Sequence, residues 1–217
     1  MTQEHRSEPT ATSPGGPEAS GAGSGGAGSG GGAPGRGADY VDWEFAASVG
    51  RRMAPAGPTA SPEEVGALVA ELRDAAGRAA RPVAETSGLQ APDDAPPPLV
   101  VDRSGWIAAN AVSMKAMLAP VLDQVVAKRA KAGHEPSATA QRLGGRVTGA
   151  EVAGMLAWMS TKVLGQYDLA PESTPRLLLV APNILTVERD LDVDSSDFRL
   201  WVALHEETHR VQFTAVP

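Results

Sequence analysis

Apolar residues recur at helical spacing over most of the chain after residue 38. The clearest repeat follows Ser61, Pro62 and Glu64, which form a capping box with proline at the first helical position. Its members have the 3.6-residue period of one helix face and are Val65, Leu68, Val69, Leu72 and Ala76. The pattern predicts an amphipathic helix that runs to about Ala80 and is followed by a turn at Pro82.

Two more helices are predicted on either side of this one. Asp39 can cap a helix that ends by the proline and glycine cluster at residues 55–58. Asp102 or Ser104 can cap a longer helix with several large apolar residues, which Pro120 either kinks or divides into two.

The remainder of the chain is predicted to combine helices with short strands. Thr148 and Glu151 form a second capping box, which predicts a helix that ends near Gly165. Residues 176–181 have the apolar run of a buried strand, and residues 99–101 are a short strand or an extended entry to the next helix. The predicted fold class is therefore mainly α with a few short strands.

Residues 1–37 have a different composition from the rest. Twelve of the 24 glycines lie between Gly15 and Gly37, interspersed with serine, alanine and proline. Such a segment cannot bury enough apolar surface to offset its ordering entropy. We expect a disordered tail over residues 1–37 and one folded domain over residues 38–217.

The composition excludes some classes of binding partner and some kinds of metal site. The net charge of −7 and the pI near 5.1 argue against nucleic acid or an anionic membrane surface as the main partner. Because the chain has no cysteine, disulfides and thiolate zinc ligands are excluded. No signal-peptide pattern is present, and no stretch is expected to approach the ~18–20 apolar residues of a membrane helix. We therefore expect a cytoplasmic protein without a membrane or nucleic-acid partner.

The candidate chemistry lies in the apolar segment 198–213, around His205, Glu206 and His209. Residues four apart on a helix lie on one face, so both imidazoles project toward a common point. Two histidine nitrogens can bind Zn²⁺ at ~2.0–2.1 Å, and the intervening glutamate can contact a zinc-bound water. This H-E-x-x-H spacing is typical of zinc peptidases. The sequence predicts His205 and His209 as metal ligands and Glu206 as the catalytic base.

The sequence is compatible with two environments for residues 198–213. The apolar residues around the motif predict a helix buried on nearly every side, in which a metal would offset the cost of burying polar groups. The alternative is an amphipathic surface helix with a solvated charged stripe, formed by Glu206, Glu207, His209 and Arg210. Glu207 and Arg210 occupy positions that are usually uncharged in zinc helices.

Three strings, at residues 100–110, 163–170 and 197–213, resemble a bacterial family of zincin-like, zinc-dependent metallopeptidases. Some members of that family are associated with biosynthesis of a deazaflavin coenzyme. The resemblance covers about Asp39 to Pro217. It implies a largely helical hydrolase of peptide or protein substrates, in which His205 and His209 bind zinc and Glu206 is the base.

The third zinc ligand is not evident in the sequence. A metzincin would have glycine at position 212 and histidine at 215, where this chain has Gln212 and Ala215. A thermolysin-like site takes a glutamate from a later helix, and only eight residues follow His209. Members of the family that this chain resembles continue well beyond the motif. We therefore interpret the chain as an N-terminal fragment whose third ligand lies beyond residue 217. We expect these 217 residues alone to bind zinc weakly and to lack peptidase activity.

A second functional hypothesis is a non-catalytic protein of the same zincin-like fold. Its zinc would be structural or absent, and its surface would bind a partner. The charged Glu207 and Arg210 keep this hypothesis open.

Overall fold

The computed structural model describes residues 40–92, 94–133, 136–169 and 174–215. The predicted disordered tail at residues 1–37 and the candidate cap Asp39 lie outside these ranges. Within them, the mainly helical fold with short strands is confirmed. Its elements are α1 (Trp43–Met53), α2 (Pro62–Ser87), β1 (Leu99–Val101), α3 (Arg103–Lys131), α4 (Ala138–Met159), β2 (Gly165–Asp168), β3 (Arg176–Val180), α5 (Ala181–Leu191) and α6 (Ser195–Thr214).

The three strands form one sheet in the order β1-β3-β2. The central strand β3 pairs in parallel with β1 and antiparallel with β2, which places Gly165 of β2 opposite Leu179. The predicted strand at 176–181 is thus confirmed through Val180. β2 was not predicted, because its sequence Gly-Gln-Tyr-Asp lacks an apolar alternation and its extended form depends on pairing with β3.

Helices cover the sheet with two apolar clusters. Leu179 belongs to one cluster and Leu178 to the other, and successive strand residues point to opposite faces. The first cluster joins α2, α5 and α6 to the sheet, and its large members include Leu68, Leu72, Ile184, Leu185 and Val202. The second joins α1, α3 and α4, and its large members include Trp43, Trp106, Ile107, Leu156 and Val180. The helix α6 therefore lies with α2 and α5 in the first cluster.

The helix α2 continues past the predicted end near Ala80. Pro82 lies inside it, and the helix ends at Gly88, whose φ of 73° places it in the left-handed region. Pro82 removes one amide donor, which leaves the carbonyl of Arg78 without its helical partner. Both residues are exposed, so water can satisfy that carbonyl while Val83 continues the buried face. The turn predicted at Pro82 was therefore wrong.

The helix α4 begins earlier than predicted. Its cap is Ser137, whose hydroxyl accepts a hydrogen bond from the amide of Ala140, so the capping box predicted at Thr148 lies inside the helix. Contacts with α1 stabilise this early part. The Asp42 amide donates to the Gly145 carbonyl at 2.9 Å, and a Cβ on Gly149 would lie 2.8 Å from the Asp42 carbonyl oxygen. Glycine thus permits close helix packing here instead of breaking the helix.

The helix α3 runs unbroken from its predicted cap, Asp102, through Pro120 to Lys131. By length and composition it is apolar enough to cross a membrane, the only such helix in the described ranges. This differs from the expectation that no segment approaches that length. Trp106 and Ile107 of its first turns lie in the protein core, but only 22% of its most apolar stretch is buried, and Val112, Met117 and Val121 are exposed.

Candidate metal centre

The helix α6 carries the predicted motif, as expected. Asp194 caps it by accepting a hydrogen bond from the Asp197 amide at 2.9 Å. Val202 and Val211 are buried, whereas Trp201 is 56% exposed. The expectation that this helix is buried on nearly every side was therefore wrong: one face lies against α2 and β2, and the other faces solvent.

Arg199 fixes how α6 lies against its neighbours. Its guanidinium donates to both carboxylate oxygens of Glu188 on α5, at 2.9 and 2.5 Å, and to Glu71 on α2. Burial lowers the pKa of Arg199, but the hydrogen bonds to these two carboxylates outweigh that effect and raise it. The charged cluster therefore ties three helices together one and a half turns before the motif.

His205 and His209 converge as the motif predicts. Their Nε2 atoms lie 3.3 Å apart, and their rings meet nearly at right angles with centroids 4.8 Å apart. Two nitrogens that each lie ~2.0–2.1 Å from a tetrahedral zinc ion are separated by about 3.3 Å. The separation is therefore the one that zinc requires. It also suits a hydrogen bond between two neutral imidazoles, in which one nitrogen donates and the other accepts.

Glu206 points away from solvent toward the edge strand. The residue is buried and lies against Gly165, where an added Cβ would be 2.4 Å from the Glu206 Cγ atom and 2.8 Å from Oε1. Burial raises the pKa of Glu206, and the nearby His209 opposes this rise. Only a glycine at the start of β2 leaves room for the carboxylate in this position.

Glu207 is buried and pairs with the half-buried Arg210, so the alternative of a solvated charged stripe is wrong. Glu207 is 1% exposed, and its Oε1 accepts a hydrogen bond from Arg210 at 2.7 Å. Its Oε2 and the Arg210 Nε have no hydrogen-bond partner among the described residues. Burial raises the pKa of the neighbouring Tyr167, an effect that Arg210 opposes and Glu207 reinforces. No local pattern of residues indicates that these charges face inward.

Aromatic rings flank the histidine pair at both ends. Trp201 stacks on His205 with centroids 5.7 Å apart, and Phe213 stacks on His209 at 6.3 Å. The four residues follow each other at intervals of four, so their rings form one row along the helix. Their spacing was visible in the sequence, but the apolar members were assigned to the core.

The segment that leads to Gly165 is held by Asn183. This side chain is buried, and its amide nitrogen donates to the carbonyls of Ser160 and Val163 at 2.7 Å each. Its oxygen accepts from the Nε atom of Arg103 at 2.7 Å. The start of α5 therefore positions the residues just before the edge strand on which Glu206 rests.

Across residues 40–215, as far as the structure describes them, His, Asp and Glu form no group of three that could hold a metal ion. His205 and His209 are thus brought together with Glu206 beside them, as the motif predicted. The position of the third ligand beyond residue 217 stays a prediction.

The chain is similar to a family of known proteins and to a solved structure. A family model described as zincin-like metallopeptidase matches residues 41–217. A crystal structure from Chloroflexus aurantiacus, described as "a putative hydrolase with a novel fold", is similar with a TM-score of 0.60 and 27% identity. The similarity covers 82% of this chain and 54% of that one, so the chain spans about half the length of that structure. No curated protein matches the chain.

Proposed function

Because the chain belongs to the zincin-like metallopeptidase family, we propose that it acts as a zinc-dependent peptidase in which His205 and His209 hold the metal and Glu206 is the general base. The observation that carries this proposal is the 3.3 Å separation of the two Nε2 atoms. The similar hydrolase structure supports the general class of reaction.

Each of the three residues has a distinct part. Zinc, when bound, lowers the pKa of water and polarises a peptide carbonyl. His205 and His209 supply two neutral nitrogens from adjacent turns of α6, which fixes their relative position without any contribution from loops. Glu206 accepts a proton from the attacking water and delivers it to the leaving amine.

Metal analysis tests the ligands. Equilibrium dialysis of the full reading frame against zinc is expected to show about one ion per protein, and His205→Ala or His209→Ala should lose it because each deletes one ligand. His5→Ala, outside the motif, is the matched histidine control. Stoichiometric zinc in both motif variants would place the ligands elsewhere and refute the proposal.

The same geometry is also compatible with the non-catalytic alternative. The 3.3 Å between the two Nε2 atoms suits a hydrogen bond between the imidazoles as well. Glu206→Gln separates the two hypotheses. The amide preserves shape but cannot accept a proton, so zinc should be retained and peptide hydrolysis by the full reading frame lost. Hydrolysis that is undetectable in the parent protein, with zinc tightly bound, would favour a binding module.

A further inference from the structure

The solvent-facing side of α6 carries no charge over the stretch that contains the histidine pair. Between residues 201 and 213, the exposed positions are Trp201, His205, Thr208, Gln212 and Phe213. The charged residues of the same stretch turn inward, as the buried Glu206 and Glu207 show. The exposed face of this stretch therefore presents aromatic and uncharged polar side chains, and enrichment in aromatic residues with depletion of charge is typical of the core of a binding surface.

The two exposed rings at the ends of this face are held in place. Trp201 lies between Phe198, at 6.0 Å and 18°, and His205, at 5.7 Å and 24°. Phe213 lies between Tyr167, at 6.5 Å and 7°, and His209. Rings that are already fixed by stacking lose little conformational freedom when a ligand binds.

A group bound at the histidine pair therefore has a rigid aromatic ring within about one helical turn on each side. Consecutive Cα atoms of a peptide are ~3.8 Å apart, so the side chains next to a bond held at the pair can reach these rings. The inference rests on the proposed function. We propose that Trp201 and Phe213 select peptide substrates with aromatic or large aliphatic side chains beside the scissile bond.

Hydroxamates test this inference without any need for turnover, because they chelate zinc and can carry different side chains. Isothermal titration of the zinc-loaded full reading frame would compare 3-phenylpropionohydroxamate with acetohydroxamate. We expect the aromatic compound to bind about tenfold more tightly, from ring burial and stacking. Trp201→Ala and Phe213→Ala should each reduce that ratio, and the double variant should bring it close to one; because both compounds chelate zinc through the same group, the ratio cancels any change in how the variants hold the metal.

The matched control is Trp158→Ala, since Trp158 is 65% exposed on α4 and has no ring contact with the histidines among the described residues. It should leave the ratio as in the parent chain. Two results would overturn this inference without affecting the proposed function. One is an affinity ratio of one between the two hydroxamates in the parent protein, with normal acetohydroxamate binding. The other is a tenfold ratio that persists in the double variant.

Two further outcomes would also overturn the inference. Failure of both hydroxamates to bind would remove the metal site and the proposed function with it. A change in oligomeric state on Trp201→Ala, measured by sizing chromatography and without a change in the ratio, would make this face a protein interface. Thermal unfolding of each variant checks that the fold is retained.

Discussion

Gly165→Ala should reduce catalysis while the protein stays folded. The new Cβ would lie 2.4, 2.5 and 2.8 Å from three atoms of the Glu206 side chain. Ordinary contacts between carbon atoms are about 3.5–4.0 Å, so the carboxylate must retreat by about 1 Å. A displacement of about 1 Å at a reacting group can reduce the rate about 100-fold, equivalent to roughly 2.7 kcal/mol in the barrier. The clash reaches back to Cγ, so the Glu206 side chain must change rotamer, at an expected cost of about 1–3 kcal/mol in the free energy of unfolding.

The assay compares kcat/KM for hydrolysis of a fluorogenic peptide by the full reading frame with zinc content and urea unfolding. Gly165→Ala should lower kcat/KM about 100-fold and keep both zinc ligands, since the atoms that the new Cβ would meet all belong to Glu206. Gly77→Ala is the matched control. Gly77 is exposed in α2 with open space around its Cβ position, so alanine there should stabilise the protein by about 0.5–1 kcal/mol and leave activity unchanged.

Unchanged kcat/KM in Gly165→Ala would refute the reasoning, because a displaced Glu206 could not then be the base. Loss of zinc or a large loss of stability would show instead that position 165 supports the fold as a whole. The comparison with Glu206→Gln adds a check, since the double variant should be no slower than Glu206→Gln alone if both changes act on one group.

Three further substitutions test the packing that supports the site. Leu72→Ala removes a fully buried side chain and should cost about 2–5 kcal/mol in the free energy of unfolding, whereas Leu143→Ala, at a position 65% exposed, should change it by less than about 0.5 kcal/mol in the same urea titration. Glu207→Ala leaves Arg210 without its buried partner and should cost about 3–5 kcal/mol; a loss below about 1 kcal/mol would show that the arginine reaches solvent. Asn183→Ala removes the partner of the Ser160 and Val163 carbonyls and of the Arg103 Nε, and it should cost at least about 1–3 kcal/mol, with faster hydrogen exchange in the Gly165 segment as the specific readout. Normal hydrogen exchange in the Gly165 segment would show that Asn183 does not position the site.

Local patterns in the sequence determined the elements that depend on neighbouring residues. The cap at Ser61 was predicted, and Asp102 was one of two candidates for the cap of α3, because a side-chain oxygen meets an amide only three residues further along. The convergence of His205 and His209 was predicted for the same reason, since a spacing of four on one helix brings two rings together whatever surrounds it.

Tertiary structure alone decided which way the charged residues of α6 face. Glu206 and Glu207 follow each other in sequence, and the sequence permitted either a solvated stripe or a buried site; their burial depends on β2 and Arg210. The early start of α4 and the existence of β2 likewise depend on contacts with Asp42 and β3. Helical spacing acts within one turn, whereas burial and strand pairing are set by residues that meet only when the chain folds.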